Sequence, residues 1–148
     1  MVIASRPEIS YRPPMPIDCQ TEVPGAFRQV LRIDAHTLHA DVSPALGGEG
    51  SAPGPHEYFD ASLATCKALT ATWYAKKHGI ALDRVEAQVE RDDSRERQGT
   101  YVLRVKLAYF GALSAADKQR LHDAVARCPV HKLMTTTTVE IETAPLEG

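Results

Sequence analysis

The hydrophobic period of the chain changes at a loop. Ahead of residues 43–54 the short runs 17–23, 26–33 (AFRQVLRI) and 37–42 (TLHADV) alternate apolar with polar side chains, as strands half-exposed to water do. Pro24-Gly25 and Asp34-Ala35 between them are turn residues, so an antiparallel meander is expected. Within the second run Phe27, Gln29, Leu31 and Ile33 point one way and Arg28, Val30 and Arg32 the other, which predicts a positively charged face. Four glycines and two prolines in SPALGGEGSAPG make 43–54 a loop. Beyond it the period becomes helical. Pro55 suits a first turn, Glu57 and Asp60 suit a helix N-terminus, and Lys76, Lys77 and His78 precede a terminating Gly79. At about 100° per residue, Phe59, Ser62, Leu63, Leu69, Thr70 and Trp73 share the face of Cys66. The central ASLATCKALTA is small and apolar, so the helix is expected to be buried on most sides, with only Lys67 needing a route to solvent.

Period two returns in 84–91 and 100–110, which flank the polar DDSRERQG and predict a hairpin. Val85, Ala87 and Val89 with Leu103, Val105, Leu107 and Tyr109 would cover the long helix. Glu86, Gln88 and Glu90 would meet Arg104 and Lys106 on a solvated face. Ser114 with Asp117 three residues on is a capping box for a second helix, whose apolar stripe is Leu121, Ala124, Val125 and Cys128. Pro129 ends it, PVHKLM predicts a short helical turn, and the β-branched TTTTVEIET predicts a last strand. Residues 1–15 read as an extended lead-in and 16–148 as one α+β domain.

Composition narrows the function classes. A chain of 148 residues, 43% hydrophobic and 24% charged, suits one globular domain. Its net charge of −2 offers no basic field for nucleic acid or an anionic membrane. No apolar run approaches the roughly 20 residues of a membrane span, and MVIASRPEIS lacks the apolar core of a secretory signal, so the expected compartment is the cytoplasm. There the three cysteines, Cys19, Cys66 and Cys128, would rest as thiols.

A thiol must ionise to react, and a free cysteine with a pKa of about 8.5 is mostly protonated at neutral pH. Cys66 lies too deep in its helix for the N-terminal dipole to help. A functional Cys66 therefore needs a cation from elsewhere. Arg28 and Arg32 are the strand candidates, while Lys67 is adjacent but points about 100° away. An arginine fits best, because it stays charged when buried and a carboxylate can hold it; Glu57 is the nearest in sequence, and His56 is better oriented. The bland alternative is a small buried hydrophobe. Cys128, set off from helical backbone by Pro129, can be nucleophile or partner. His131 nearby can be a base or a capping residue. Zinc on Cys66, Cys128 and His131 would lack paired ligand spacing and a fourth ligand.

The stretch GPHEYFDASLATCKALTATWYAKKHG followed by CPVHKL, with HTLHADVSPALGGEG upstream, resembles the OsmC/Ohr family of thiol-dependent hydroperoxide reductases over residues 16–144, in its OsmC-like branch. The resemblance implies a peroxidatic Cys66 and a resolving Cys128 that join in an intramolecular disulfide. It further implies an activating arginine, for which Arg28 is the nearest counterpart, and a glutamate partner. His56 stands at the family's glutamate position and Glu57 follows it. The implied fold is an intertwined α+β homodimer with antiparallel sheets on a long central helix. The implied substrate is a small organic hydroperoxide, suited to Phe59, Leu63, Leu69 and Trp73 beside Cys66. The implied reductant is an external dithiol or a lipoylated protein, with no bound cofactor or metal. Two other classes remain: a redox-sensing or structural relative, and a cysteine acyl hydrolase using His131.

Overall fold

The computed structural model describes residues 15–146 and divides into two compact units, one through Pro55 and one from His56 onward. The predicted lead-in falls, except for Met15, outside the described residues.

In the first unit the three alternating runs pair as expected. β1 (Ile17–Thr21), β2 (Gln29–Ile33) and β3 (His36–Ala40) form an antiparallel sheet in that order, with Cys19 opposite Leu31 and Leu31 opposite Leu38. Asp34 takes φ 55° in the tight turn between β2 and β3, a conformation that aspartate tolerates. The predicted arginine face is corrected in part. Arg28 falls ahead of β2, and Val30, which shares its side, is the buried residue of the strand.

The loop after β3 is organised by one buried carboxylate. Asp41 accepts from the N–H groups of Val42 (2.8 Å), Glu49 (3.3 Å) and Ser51 (3.0 Å) and from the Ser51 hydroxyl (2.6 Å). Gly48 lets the chain close around it, since a Cβ there would lie 2.2 Å from the Val42 carbonyl oxygen and 2.7 Å from Asp41 Oδ1. Four donors on one carboxylate favour its charged form, led by the Ser51 hydroxyl, and hold its pKa at about 2.

The second unit begins with α1 (Pro55–His78), bounded as its end signals predict, with Gly79 at φ 63° taking the left-handed position that stops it. β4 (Leu82–Asp92) and β5 (Val102–Gly111) make the predicted hairpin, and α2 (Ala115–Val125) and α3 (Pro129–Thr135) follow. Ser114 Oγ accepts from Asp117 N (3.0 Å) and Asp117 Oδ2 from Ser114 N (3.2 Å), so the capping box is closed. Ala71 and Ala75 of α1 meet Leu121 and Val125 of α2, and Val85, Leu107 and Tyr109 of the hairpin pack against this cluster. The alanines matter because small side chains let helix backbones approach closely.

Two expectations fail. α1 is not buried on most sides: its buried stripe is Leu63, Lys67, Ala71 and Ala75, spaced four apart, while Leu69 and Trp73 are 63% and 60% exposed. Lys67 thus lies on the inward stripe and takes no route to solvent. The last strand is also absent, since residues 138–146 form no regular structure and Ile141 is 84% exposed. β-branched alternation shapes a sheet face only where a neighbouring strand takes up its hydrogen bonds, and 138–146 pair with none in either sheet.

Candidate thiol site

Cys66 sits midway along α1, partly exposed, on the wall of a cleft of about 1100 Å³. Tyr58, Leu69, Thr70, Trp73 and Tyr74 of α1 line that cleft, and Ala124, Arg127 and Pro129 close its far side. Of the four residues expected around a substrate, Leu69 and Trp73 are on this wall. Phe59 instead lies edge-to-face against Tyr101 at 5.8 Å, and Leu63 points into the core. The 100° step explains the split: Leu63 belongs to the stripe one residue round from the cleft.

Cys128 meets Cys66 from the opposite side. Being followed by proline, it adopts an extended conformation (φ −62°, ψ 143°) as the N-cap of α3, which turns its side chain inward. It is completely buried, its sulfur accepts from the backbone N–H of His131 (3.4 Å), and the Cys66 thiol is near enough to act on its acidity. Burial is the main influence on its acidity and pushes the thiol upward. The His131 N–H and the charge of Lys67 act in the opposite direction, and the Cys66 contact adds to the rise.

Sequence reasoning set Lys67 aside as pointing away from Cys66 and toward solvent, yet it is only 5% exposed. Its ammonium donates to the carbonyl of Val125 (3.0 Å) and to Nδ1 of His131 (3.1 Å). An ammonium has no lone pair, so His131 Nδ1 is the acceptor there and the ring carries its proton on Nε2. Val125 is the last residue of α2, where free carbonyls and the helix dipole favour a cation. A lysine in an otherwise apolar stripe at spacing four was the available signal.

The expected arginine and glutamate each have partners within their own unit. Arg28 pairs with Glu22, and its Nη1 donates to the Ser51 carbonyl (3.2 Å) and hydroxyl (2.8 Å), all within the first unit. Glu22 holds it within the first unit, where the turn before β2 brings Glu22 N to the Arg28 carbonyl (3.1 Å). Arg32 lies on an exposed position of β2, and Cys19 is exposed on β1. Glu57 pairs with Arg91 of β4 (3.1 Å), whose Nε also donates to Asp60 (2.7 Å). Asp60 in turn accepts from the Tyr101 hydroxyl (2.7 Å), and burial, with that bond, pushes Tyr101 up to about 12. His56 binds Glu96 (2.8 Å), which favours its protonated form. Arg91 and Tyr101 reach α1 only because the hairpin folds back on it, so nothing local in the sequence announces them. Among the described residues no group of three or more His, Cys, Asp or Glu is placed to hold a metal.

The family model for OsmC-like proteins matches residues 48–144. The chain belongs to the OsmC-like family. Solved structures agree on the fold. A candidate osmotic stress induced and detoxification response protein from Psychrobacter arcticus superposes with a TM-score of 0.70 at 17% identity, covering 85% of this chain and 93% of that one. An OsmC like protein from Mycoplasma pneumoniae gives 0.66 at 19% identity, over 83% and 88%. An organic hydroperoxide resistance protein OsmC from Legionella pneumophila gives 0.60 at 18% identity, over 83% and 90%. No curated protein matches the sequence. At these identities the OsmC-like structures establish the α+β fold with antiparallel sheets, and nothing finer.

Proposed function

We propose that this OsmC-like protein is a thiol-dependent peroxidase that reduces organic hydroperoxides. The observation that carries this reading is the nearness of two thiols of unequal exposure, Cys66 on the cleft wall and Cys128 sealed behind it. A thiolate at Cys66 attacks the terminal oxygen of ROOH, the O–O bond breaks, and the alkoxide leaves as ROH after taking a proton. Cys66 is then a sulfenic acid. Cys128 attacks its sulfur, the S–O bond breaks, and hydroxide departs with the proton Cys128 surrendered, leaving a disulfide and water. An external dithiol or lipoylated protein returns both thiols. Leu69, Trp73 and Tyr74 favour an organic over an inorganic peroxide, and Arg28 is the assigned activating cation of Cys66, with Glu57 as the family-type carboxylate. The exposed Leu69 and Trp73 support a homodimer through this face.

A redox-sensing reading has one observation in its favour: the Arg28 guanidinium is already engaged by Glu22 and Ser51. Turnover separates the two. The purified protein should consume cumene hydroperoxide faster than hydrogen peroxide, with dihydrolipoamide as a better reductant than glutathione. Mass spectrometry should then find Cys66 joined to Cys128. Cys66 overoxidised beside an alkylatable Cys128 rejects the resolving role, and disulfide formation without turnover selects the sensor.

A further inference from the structure

We propose that Lys67 is the cation that makes Cys128 a thiolate for the resolving step. The inference rests on the peroxidase reading for its biological meaning and on the geometry of Lys67 for its chemistry.

Lys67 brackets Cys128. Its ammonium touches the carbonyl of Val125, three residues before the cysteine, and the ring of His131, three residues after, while the His131 N–H points at the Cys128 sulfur. Both side chains are inside, Lys67 at 5% exposure and Cys128 at 0%. A buried ammonium is stable only when anions or several acceptors surround it. Among the described residues no carboxylate pairs with Lys67, and its two acceptors are neutral. The titratable groups near Cys128 include Cys66 and Lys67 from α1, His131 from α3 and the adjacent Arg127 on the cleft wall, and of these the thiols are the ones that become anions. A thiolate on Cys128 therefore balances a charge that the fold already holds in place. The same charge lowers the cost of ionising a thiol that burial would otherwise keep protonated.

The consequence falls on a single bond-forming event. Cys128 must lose its proton before its sulfur attacks the Cys66 sulfenic acid, and the departing hydroxide takes that proton away as water. Without Lys67 the Cys128 thiolate is scarcer, and the sulfenic acid waits. Lys67 touches neither peroxide nor the reacting oxygen in this scheme; it is a positioning residue that acts through Cys128.

The test uses the full chain. In a Cys19→Ser, Cys66→Ser background, Cys128 is the remaining thiol, and the ultraviolet absorbance of its thiolate is followed against pH. Lys67→Met and Lys67→Gln should each raise its midpoint by about one unit or more, the scale of removing a nearby opposite charge. In the parent background, one equivalent of cumene hydroperoxide should leave about tenfold more Cys66 trapped by dimedone, relative to disulfide, in each variant. The reciprocal measurement needs no change at Lys67: Cys128→Ser should lower the Lys67 midpoint read by NMR of labelled lysine, so a misfolded Lys67 variant does not end the test. Unmoved midpoints at both residues overturn the proposal. A parent that forms no sulfenic acid with any hydroperoxide rejects the peroxidase reading instead, while the titrations still decide whether Lys67 ionises Cys128.

Discussion

Arg91 and Lys67 both serve α1, and their surroundings differ in charge balance. Arg91 meets two carboxylates at the first turns of the helix, Glu57 and Asp60, and Tyr101 completes the second. Lys67, two turns further on, meets a carbonyl and an imidazole. The arginine is neutralised where it stands, so its work is mechanical: it ties β4 to the start of α1. Among the described residues no carboxylate meets the lysine, in a place where an ion costs several kcal/mol to bury. A cation held that way is one that chemistry can draw on. In this reading the first turns of α1 carry stability and its middle carries reactivity, and substitutions at the two places should separate accordingly.

The largest effect is expected at the thiol. Cys66→Ser should abolish hydroperoxide consumption while changing unfolding by about 1 kcal/mol or less, because oxygen for sulfur at a partly exposed position removes little packing. Cys19→Ser, on an exposed position of β1, should keep the activity. Equal losses in a coupled peroxidase assay would sink the assignment of Cys66.

Arg28 comes next, and it tests whether a third cation belongs with Lys67 or with Arg91. If Arg28 activates Cys66, Arg28→Ala raises the pH midpoint of Cys66 alkylation and slows peroxide reduction by about 10², the scale of one lost preorganised charge, while Arg28→Lys restores part. An unchanged profile in both Arg28→Ala and Arg32→Ala would make Arg28 a brace like Arg91 and leave the sensor reading standing.

At the first turns of α1 the expected loss is in stability. Arg91→Met leaves the Asp60 carboxylate, only 13% exposed, with the Tyr101 hydroxyl alone. Breaking a fully buried pair costs about 3–5 kcal/mol, and the partial exposure of Arg91 discounts this to about 2 kcal/mol. Urea unfolding reads it. A variant that unfolds like the parent but reduces peroxide poorly would erase the division between the two places.

The smallest effect lies in the first unit and depends on pH. The Asp41 carboxylate has its folded pKa lowered from 3.8 to about 2, so its stabilisation is complete above the unfolded value. It disappears as pH falls from about 4 through about 2. Asp41→Asn should therefore lower the melting temperature at neutral pH, with the gap to the parent closing over that acid range. A gap that persists at pH 2 would mean the amide fails for steric reasons.

Much of the fold was legible because its signals are local. The β2–β3 turn, the start and stop of α1, the hairpin around DDSRERQG and the Ser114 capping box each depend on residues a few positions apart, and each stands where the pattern put it. The TTTTVEIET strand failed for the converse reason: alternation describes a surface, while a strand also needs a neighbour. The two site cysteines were legible as residues, through the resemblance of their motifs. Their pairing was implied by the same resemblance, but not the means of it, which depends on where α2 ends and how Pro129 redirects the chain.

By itself the sequence determined the period of each segment, the caps that bound it, and the two thiols available to react. Tertiary structure decided which stripe of α1 turned inward, and with it that Lys67, whose long apolar stem tolerates burial, would bring its charge to the α2 terminus beside Cys128. It also decided that Glu57 would answer to Arg91, because β4 returns along the helix. Periodicity names a face but not its neighbour, and the acidity of a buried group is set by its neighbours.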